Sequence, residues 1–232
     1  AKYFIKSEFD GIDYAGIRIG IEKPSLNSVG RKYSGVNVTT EDPLVWMNAA
    51  EVAFLKAEAK AVFGFNMGTG TAEEFYNEGI KLSFEQFGLS GYAEYAEDNE
   101  NKPATYADPA GLNSYAGVLS AITVKWNDAA PAAEKQERIM IQKWIANFNN
   151  GIEAWSDHRR TGYPKFFPAT DAGNKSGGSV TNEFGARRMV YPLAEYSNNG
   201  DNVNAAVASY LSGPDKMGTR LWWDCNPAVV IK

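Results

Sequence analysis

Two tryptophans, the chain's only histidine, an aspartate and two adjacent arginines fall within "QKWIANFNNGIEAWSDHRRTGYP", residues 142–164. Such residue types carry general acid–base chemistry, so catalysis is the first use to weigh. Adjacent side chains on a helix point about 100° apart, which leaves Asp157 badly placed to orient His158 as a triad carboxylate does. The chain has no Gly-x-Ser-x-Gly elbow, and its one cysteine, Cys225 in "WWDCNP", finds no second histidine to activate it. The balance for His158 falls on scaffold rather than catalysis. Paired carboxylates for glycoside hydrolysis give no usable signal, because 28 acidic residues always offer some pair roughly 5–9 Å apart.

One cysteine and one histidine exclude a disulfide framework, thiolate zinc sites and multi-histidine metal sites. "EDNENK" at 97–102 offers oxygen ligands from Asp98, Asn99, Glu100 and Asn101. It lacks the spacing and glycine of a calcium loop, so a solvated acidic turn is expected and no metal is assigned. "GTGTAEE" is glycine-rich before a helix start but has no phosphate-loop lysine, and reads as a turn and cap. The pairs Arg159-Arg160 and Arg187-Arg188 each precede Tyr-Pro, in "HRRTGYP" and "ARRMVYP", and Arg220 follows later. That duplication predicts arginines stapling irregular backbone through carbonyls and buried carboxylates such as Glu153, Asp157 or Glu195.

The elements that must position these residues follow from composition and period. With 232 residues, 44% hydrophobic and 22% charged, the chain has the make-up of a globular protein with one sizeable core or two small ones. A net charge of −5 without a lysine block argues against nucleic acid or an anionic membrane surface and favours a neutral ligand. Aromatics reach 13%, with 6 Trp and 12 Tyr, more than a minimal core requires. Their flat faces suit sugar rings as well as scaffold. No run of about 18 apolar residues occurs. The chain starts at Ala1 without a signal pattern and reads as a processed chain or a fragment.

Residues 1–41 show no helical period and predict loop with one or two short strands. From 42 the pattern changes, with Val45, Ala49, Val52, Leu55, Ala59 and Val62 recurring at steps of three or four. Asp42 before Pro43 reads as the N-cap and Gly64 as the stop. In "TAEEFYNEGIKLSFEQFG" Thr71 and Glu74 form a capping box, and Ala72, Phe75, Tyr76, Gly79, Ile80, Ser83 and Phe87 share a face that Gly88 ends. Small Gly79 and Ser83 would admit a neighbouring helix closely. The pair makes a tetratricopeptide-like hairpin over 42–88, which cannot bury both its faces alone.

Residues 89–121 are polar and loop-like, and "ITVKWND" alternates as a short strand would. From Ala133 to His158 the helical period returns through Ile141, Trp144 or Ile145, Phe148, Ile152 and Trp155, with "NNG" at 149–151 as a weak joint in one helix or the break between two nearly coaxial ones. That phase puts Trp144, Phe148, Ile152 and Trp155 on one buried face. A further short helix is predicted at "DNVNAAVASYL". The partition is thus a 1–41 lead-in, the 42–88 hairpin and an 89–232 region with long loops.

These later residues carry a resemblance. Gln142 to Ala146, Asn150 to Trp155, Arg159 to Pro164, Arg188 to Glu195 and Trp222 to Asp224 agree in order and spacing with the C-terminal part of the SusD/RagB family of surface nutrient-binding lipoproteins. Its hallmark positions here are Trp144, Trp155, Arg159, Arg160, Tyr163, Arg188, Trp222, Trp223 and Asp224. The likeness covers roughly 43–88 and 122–224. Family members are about twice as long, and their lipid-anchor cysteine has no counterpart here, since Cys225 is at the wrong end.

The resemblance implies a mainly α, tetratricopeptide-like superhelical fold without enzymatic activity or cofactor. It implies a place on the extracellular face of the outer membrane, capturing oligosaccharide for a SusC-like TonB-dependent transporter. Ligand residues of the family lie in variable loops and do not carry over by position. From the residues themselves, Tyr92, Tyr95, Tyr106, Tyr115 and Trp126 are candidates to stack on sugar, with Asp98, Asn101 and Asp108 to bond its hydroxyls. The alternative is a helical-repeat interaction scaffold whose ligand site lies in the N-terminal half that the resemblance implies.

Overall fold

Two of the helix starts in this chain are set by side chains that accept from free backbone N–H groups, Asn48 and Thr71. The computed structural model describes residues 4–20 and 30–225. Six α-helices form among them: α1 (Ala49–Ala61), α2 (Ala72–Gln86), α3 (Tyr92–Ala96), α4 (Ala132–Ala146), α5 (Gly151–Thr161) and α6 (Leu193–Tyr210). The chain divides into two compact units. One holds residues 1–5, 36–106 and 116–165 with α1 to α5; the other holds 6–35, 107–115 and 166–232 with α6.

Thr71 and Glu74 close the predicted capping box at the start of α2. For α1 the cap is not Asp42 but Asn48, whose side chain accepts from Glu51 N at 2.7 Å. Asp42 instead turns back to the Thr39 backbone N–H at 2.7 Å. The choice is tertiary, because Asn48 Nδ2 also donates to Asn147 Oδ1 at 2.8 Å, next to the end of α4. Gly64 stops this segment in the left-handed region at φ 68, as expected.

The "NNG" joint separates α4 from α5, with Asn149 at φ 70 between them. The helix expected at "DNVNAAVASYL" begins earlier, at Leu193, and kinks at Asn199. Among the described residues no strand forms, and pairing is confined to isolated bridges such as Phe4 with Val36 and Phe9 with Ile12. Residues 21–29 of the predicted lead-in lie outside the described residues. "ITVKWND" is not a strand, because its polar groups are satisfied elsewhere. The Tyr76 hydroxyl donates to Val124 O at 2.6 Å, and Lys125 N donates to Asp98 O at 2.7 Å.

The core of the first unit is Ala50, Phe54, Ala57, Tyr76, Ile80, Ile139, Met140 and Ala146, joined by Val124 and Trp126. Phe54 meets Tyr76 edge-on at 6.0 Å, and Tyr76 meets Trp126 at 5.2 Å. Gly79 makes the approach of α1 and α2 possible: a Cβ there would lie 2.7 Å from the buried Phe54 ring.

Two predicted faces are corrected. Val52 and Leu55 of α1 are exposed, and Ala50, Phe54 and Ala57 face the core instead. Trp144, Ile152 and Trp155 are likewise exposed, Ile152 at 79%, while Ile139, Met140, Gln142, Lys143 and Ala146 are buried. Phe54, Ile139 and Met140 pack inward among alanine and paired charges, while Val52, Leu55, Trp144 and Ile152 face outward, so large apolar residues stand on both sides of these helices.

Those charges link three helices. Arg160 on α5 holds Glu58 on α1 bidentately at 2.7 and 2.8 Å and reaches Asp157 at 3.1 Å. Asp157 takes Lys143 of α4 at 2.7 Å, and Lys143 also reaches Glu51 of α1 at 3.2 Å. Glu58 and Lys143 side chains are each only 3% exposed, while Arg160 remains 44% exposed.

In the second unit the same residue type braces irregular chain. Arg18 donates to Pro168 O through Nε at 3.0 Å and through Nη2 at 2.6 Å, and to Asn113 O through Nη1 at 3.2 Å. Arg187 grips Asp224 through two bonds of 2.7 Å, and Arg188 pairs with Asp215. Arginine stapling was predicted; among the described residues the carboxylates of these arginine pairs are Glu58, Asp157, Asp215 and Asp224, and neither Glu153 nor Glu195 takes part. Asp108 organises the 108–113 turn: its carboxylate accepts from the amides of Ala110, Leu112 and Asn113 at 2.8–3.1 Å and from the Tyr33 hydroxyl. Burial opposes the charge of Asp108, yet these donors together outweigh it and hold the carboxyl below its usual range.

Three outcomes are expected. Gly79→Ala lowers stability by about 1–2 kcal/mol, an overpacking cost of ~1–3 less the ~1 gained in helix propensity; a raised Tm would contradict the close approach. Arg160→Ala costs about 2–3 kcal/mol, below the full cost of orphaning a buried charge because Arg160 is partly solvated. Its effect on Tm should exceed any effect on ligand affinity, and unchanged melting with lost binding would refute the structural role. Asp108→Asn loses stability at neutral pH. Because the folded-state pKa is depressed, the difference from wild type persists from pH 7 to about pH 5 and fades as pH falls below about 4, as chemical denaturation across that range will read.

Candidate functional site

The acidic turn expected at 97–102 is made by Asp98, whose Oδ1 accepts from the amides of Glu100 and Asn101 at 2.9 Å each. The Asn101 amide, the Asn101 side chain and the Glu100 amide, in that order, hold the Asp98 carboxyl below its usual range. Lys125 Nζ pairs with Glu97 at 2.8 Å on the same loop. This turn faces the extended segment 122–127, and the buried side of α4 lies beneath both.

Two cavities open along this line, with Thr123 and Arg138 in the wall of each. The smaller, about 220 Å³, also takes Tyr95, Asn101, Ile122, Ile141 and Ile145. The larger, about 330 Å³, takes Asn99, Lys125, Trp126 and Asn127. No carboxylate lines either one among the described residues. Tyr95 crosses the floor of the smaller cavity: its hydroxyl donates to Gln142 Oε1 at 3.0 Å, and its ring packs on Phe84 at 5.3 Å. Burial raises the Tyr95 phenol, against a smaller opposite effect of the Gln142 bond, so it stays protonated at neutral pH.

Of the eight sequence candidates, Tyr95 and Asn101 meet in the smaller cavity, and Asp98 shapes the turn that presents Asn101. Tyr92 is exposed at the start of α3, and Tyr106 is half-buried outside either cavity wall. Two candidates are corrected. Trp126 is a core residue, 6% exposed and packed on Tyr76, so its face is not open for sugar stacking. Asp108 is buried with its lone pairs spent on its own turn. Tyr115 belongs with Asp108 to the second unit, where it packs on Phe167 at 5.5 Å under the Arg18 guanidinium at 5.1 Å.

Sequence reasoning missed Arg138. Its side chain is 4% exposed; Nε donates to Thr123 O at 3.2 Å and Nη2 to Glu134 at 3.1 Å, while Nη1 has no partner among the described residues. The only sequence signal was a charge placed in phase with buried positions of α4, a pattern that an exposed arginine one turn away would imitate.

The hallmark residues act as scaffold where they are buried. Arg159 lies over the exposed Trp155 ring at 5.3 Å, and Lys165 over Tyr163 at 5.7 Å. Asp224 is buried on Arg187, whereas Trp222 is 82% exposed and Trp223 half-exposed. His158 Nδ1 stands 2.9 Å from Pro164 O, and since a carbonyl only accepts, that nitrogen carries the proton and braces the Tyr163-Pro164 turn. Among the described residues no group of three or more His, Cys, Asp or Glu is placed to hold a metal ion, and no helix is long and apolar enough to cross a membrane.

Several solved structures share this architecture. A SusD homolog from Bacteroides uniformis is 56% identical over 97% of this chain and 46% of its own, with a TM-score of 0.91. A second, from Bacteroides thetaiotaomicron, is 45% identical over 97% of this chain and 48% of its own, with a TM-score of 0.85. A chitin-binding SusD homolog from Flavobacterium johnsoniae is 44% identical over 97% of this chain and 46% of its own, with a TM-score of 0.83. The chain therefore spans less than half the length of these structures. No curated protein sequence matches it. The family model described as "Susd and RagB outer membrane lipoprotein" matches residues 1–224, and the chain accordingly belongs to the SusD/RagB family of outer membrane lipoproteins.

Proposed function

We propose that this chain is part of a non-catalytic subunit that captures oligosaccharide on the extracellular face of the outer membrane and delivers it to a SusC-like TonB-dependent transporter. The observation that carries the reading is the groove at Tyr95, Asn101 and Arg138, an apolar recess with polar groups at its floor and rim. Family membership supports a surface role, and the Flavobacterium johnsoniae relative named as chitin-binding supports a glycan ligand. A groove wall without carboxylates suits binding rather than acid–base hydrolysis.

The exposed apolar residues of α1, α4 and α5, among them Val52, Leu55, Trp144 and Trp155, favour a second reading in which these helices are an interaction scaffold. Calorimetry on the full chain separates the two. Under the first reading oligosaccharide binds without turnover, and Asn101→Ala and Tyr95→Ala each weaken it about tenfold, the size of one or two net hydrogen bonds. Unchanged affinity in both variants would remove the groove from consideration and leave the scaffold reading. Released reducing ends would overturn the absence of catalysis.

A further inference from the structure

Outside the groove, another opening in the first unit holds a buried carboxylate that no hydrogen bond accounts for. Its volume, about 500 Å³, lies within the ~300–1,000 Å³ of small-molecule sites. The wall is formed by the 118–122 segment, the first turns of α4, and Tyr163 with Lys165, and it adjoins the smaller groove cavity through Ile122. Glu137 of α4 lines it, 8% exposed and with no hydrogen bond to any described residue. A charge buried to this degree ordinarily gathers donors. Its Oε1 is enclosed, with Lys165 Nζ at 3.6 Å, too far for a hydrogen bond. Its Oε2 is equally unbonded but keeps accessible surface, so a ligand can reach it.

Tyr163 and Lys165 complete the polar side of the wall. Tyr163 bonds Thr161 through its backbone, while its hydroxyl bonds no described residue. Burial, and after it the Glu137 charge, raise the phenol, so it remains a donor at neutral pH. Lys165, its side chain 44% exposed, can turn its Nζ toward a ligand. The rest of the wall is aliphatic, with Val118, Leu119, Ile122 and Pro131.

The ligand class follows from this set. A ligand carboxylate would meet Glu134 and Glu137 in the wall, and an ammonium group would have to displace Lys165. A hydroxyl donates to the carboxylate and accepts from tyrosine or lysine at once. A ring with hydroxyls on its rim and C–H groups on its faces also suits the aliphatic side.

We propose that this cavity is a second carbohydrate site, selective for an uncharged sugar residue: one hydroxyl donates to Glu137 Oε2, its neighbour accepts from Tyr163 Oη or Lys165 Nζ, and the ring face lies on Leu119, Ile122 and Pro131. The site rests on the glycan-capture reading for its ligand, but shares neither Tyr95 nor Asn101 with the groove. It excludes uronic acids, whose charge Glu137 repels.

Cello-, malto- and mannotetraose, each beside its C6-oxidised uronate form, are the probes, titrated into the full chain by calorimetry. At least one neutral sugar is expected to bind about tenfold more tightly than its uronate, the yield of one hydrogen bond to a charged group. Glu137→Gln should cut that preference to within about threefold, since a neutral amide holds the hydroxyl less strongly and no longer repels the uronate. Tyr163→Phe removes a hydroxyl that braces nothing in the protein; it should melt as wild type does and weaken the neutral sugar about fivefold. That variant decides the matter if Glu137→Gln does not fold. Unchanged affinity in Tyr163→Phe, a preference that survives in folded Glu137→Gln, or a uronate bound as tightly as its neutral form overturns this site. Glycan capture at the groove then still stands if Asn101→Ala and Tyr95→Ala weaken binding. Failure of every sugar to bind defeats both readings.

Discussion

A carboxylate buried in the last turn of α1 constrains the first unit. Glu58 is tolerated there because Arg160 of α5 takes both its oxygens and Gln136 of α4 adds a third bond at 2.8 Å. Such pairs contribute little net stability against a hydrophobic substitute, but breaking one leaves a charge stranded in low dielectric. The three helices must therefore meet in one register. Lys143, held between Asp157 and Glu51, repeats the constraint about two turns further along α4.

The candidate site depends on that register. With α4 anchored through Lys143 and Gln136, the neighbouring side of the same helix presents Arg138, Ile141 and Gln142 to the segments 98–103 and 122–127. Tyr76 ties the second of these segments to the core through Val124 O, so the groove wall is built on rigid elements although two of its sides are loop. Preorganisation of this kind lowers the ordering cost of binding a flexible oligosaccharide.

Much of this was legible in the sequence, but unevenly. The capping box, the glycine stop after α1, the small residue at the helix crossing and the scaffold role of the arginines all rest on local stereochemistry or on chemistry that few residues can perform. The inward faces of α1 and α4 were not legible. Their buried sides mix Phe54, Ile139 and Met140 with alanine, asparagine and paired ions, and their exposed sides carry large apolar residues too, so the period was right but apolar size did not mark its phase. Trp126 and Asp108 looked like ligand residues because an aromatic or a carboxylate in a polar loop reads the same whether it serves solvent or packs inward.

The sequence by itself determined the family, the mainly helical class, the capped start of α2 and the glycine stop after α1. Those follow from side chains acting on backbone within a few residues. The tertiary structure decided which face of each helix is buried, that Asn48 rather than Asp42 caps α1, and that Tyr95 and Asn101 share a recess with Arg138. Each of those outcomes is an interaction between residues far apart in the chain, such as Asn48 with Asn147 or Glu58 with Arg160, whose partners no local pattern names.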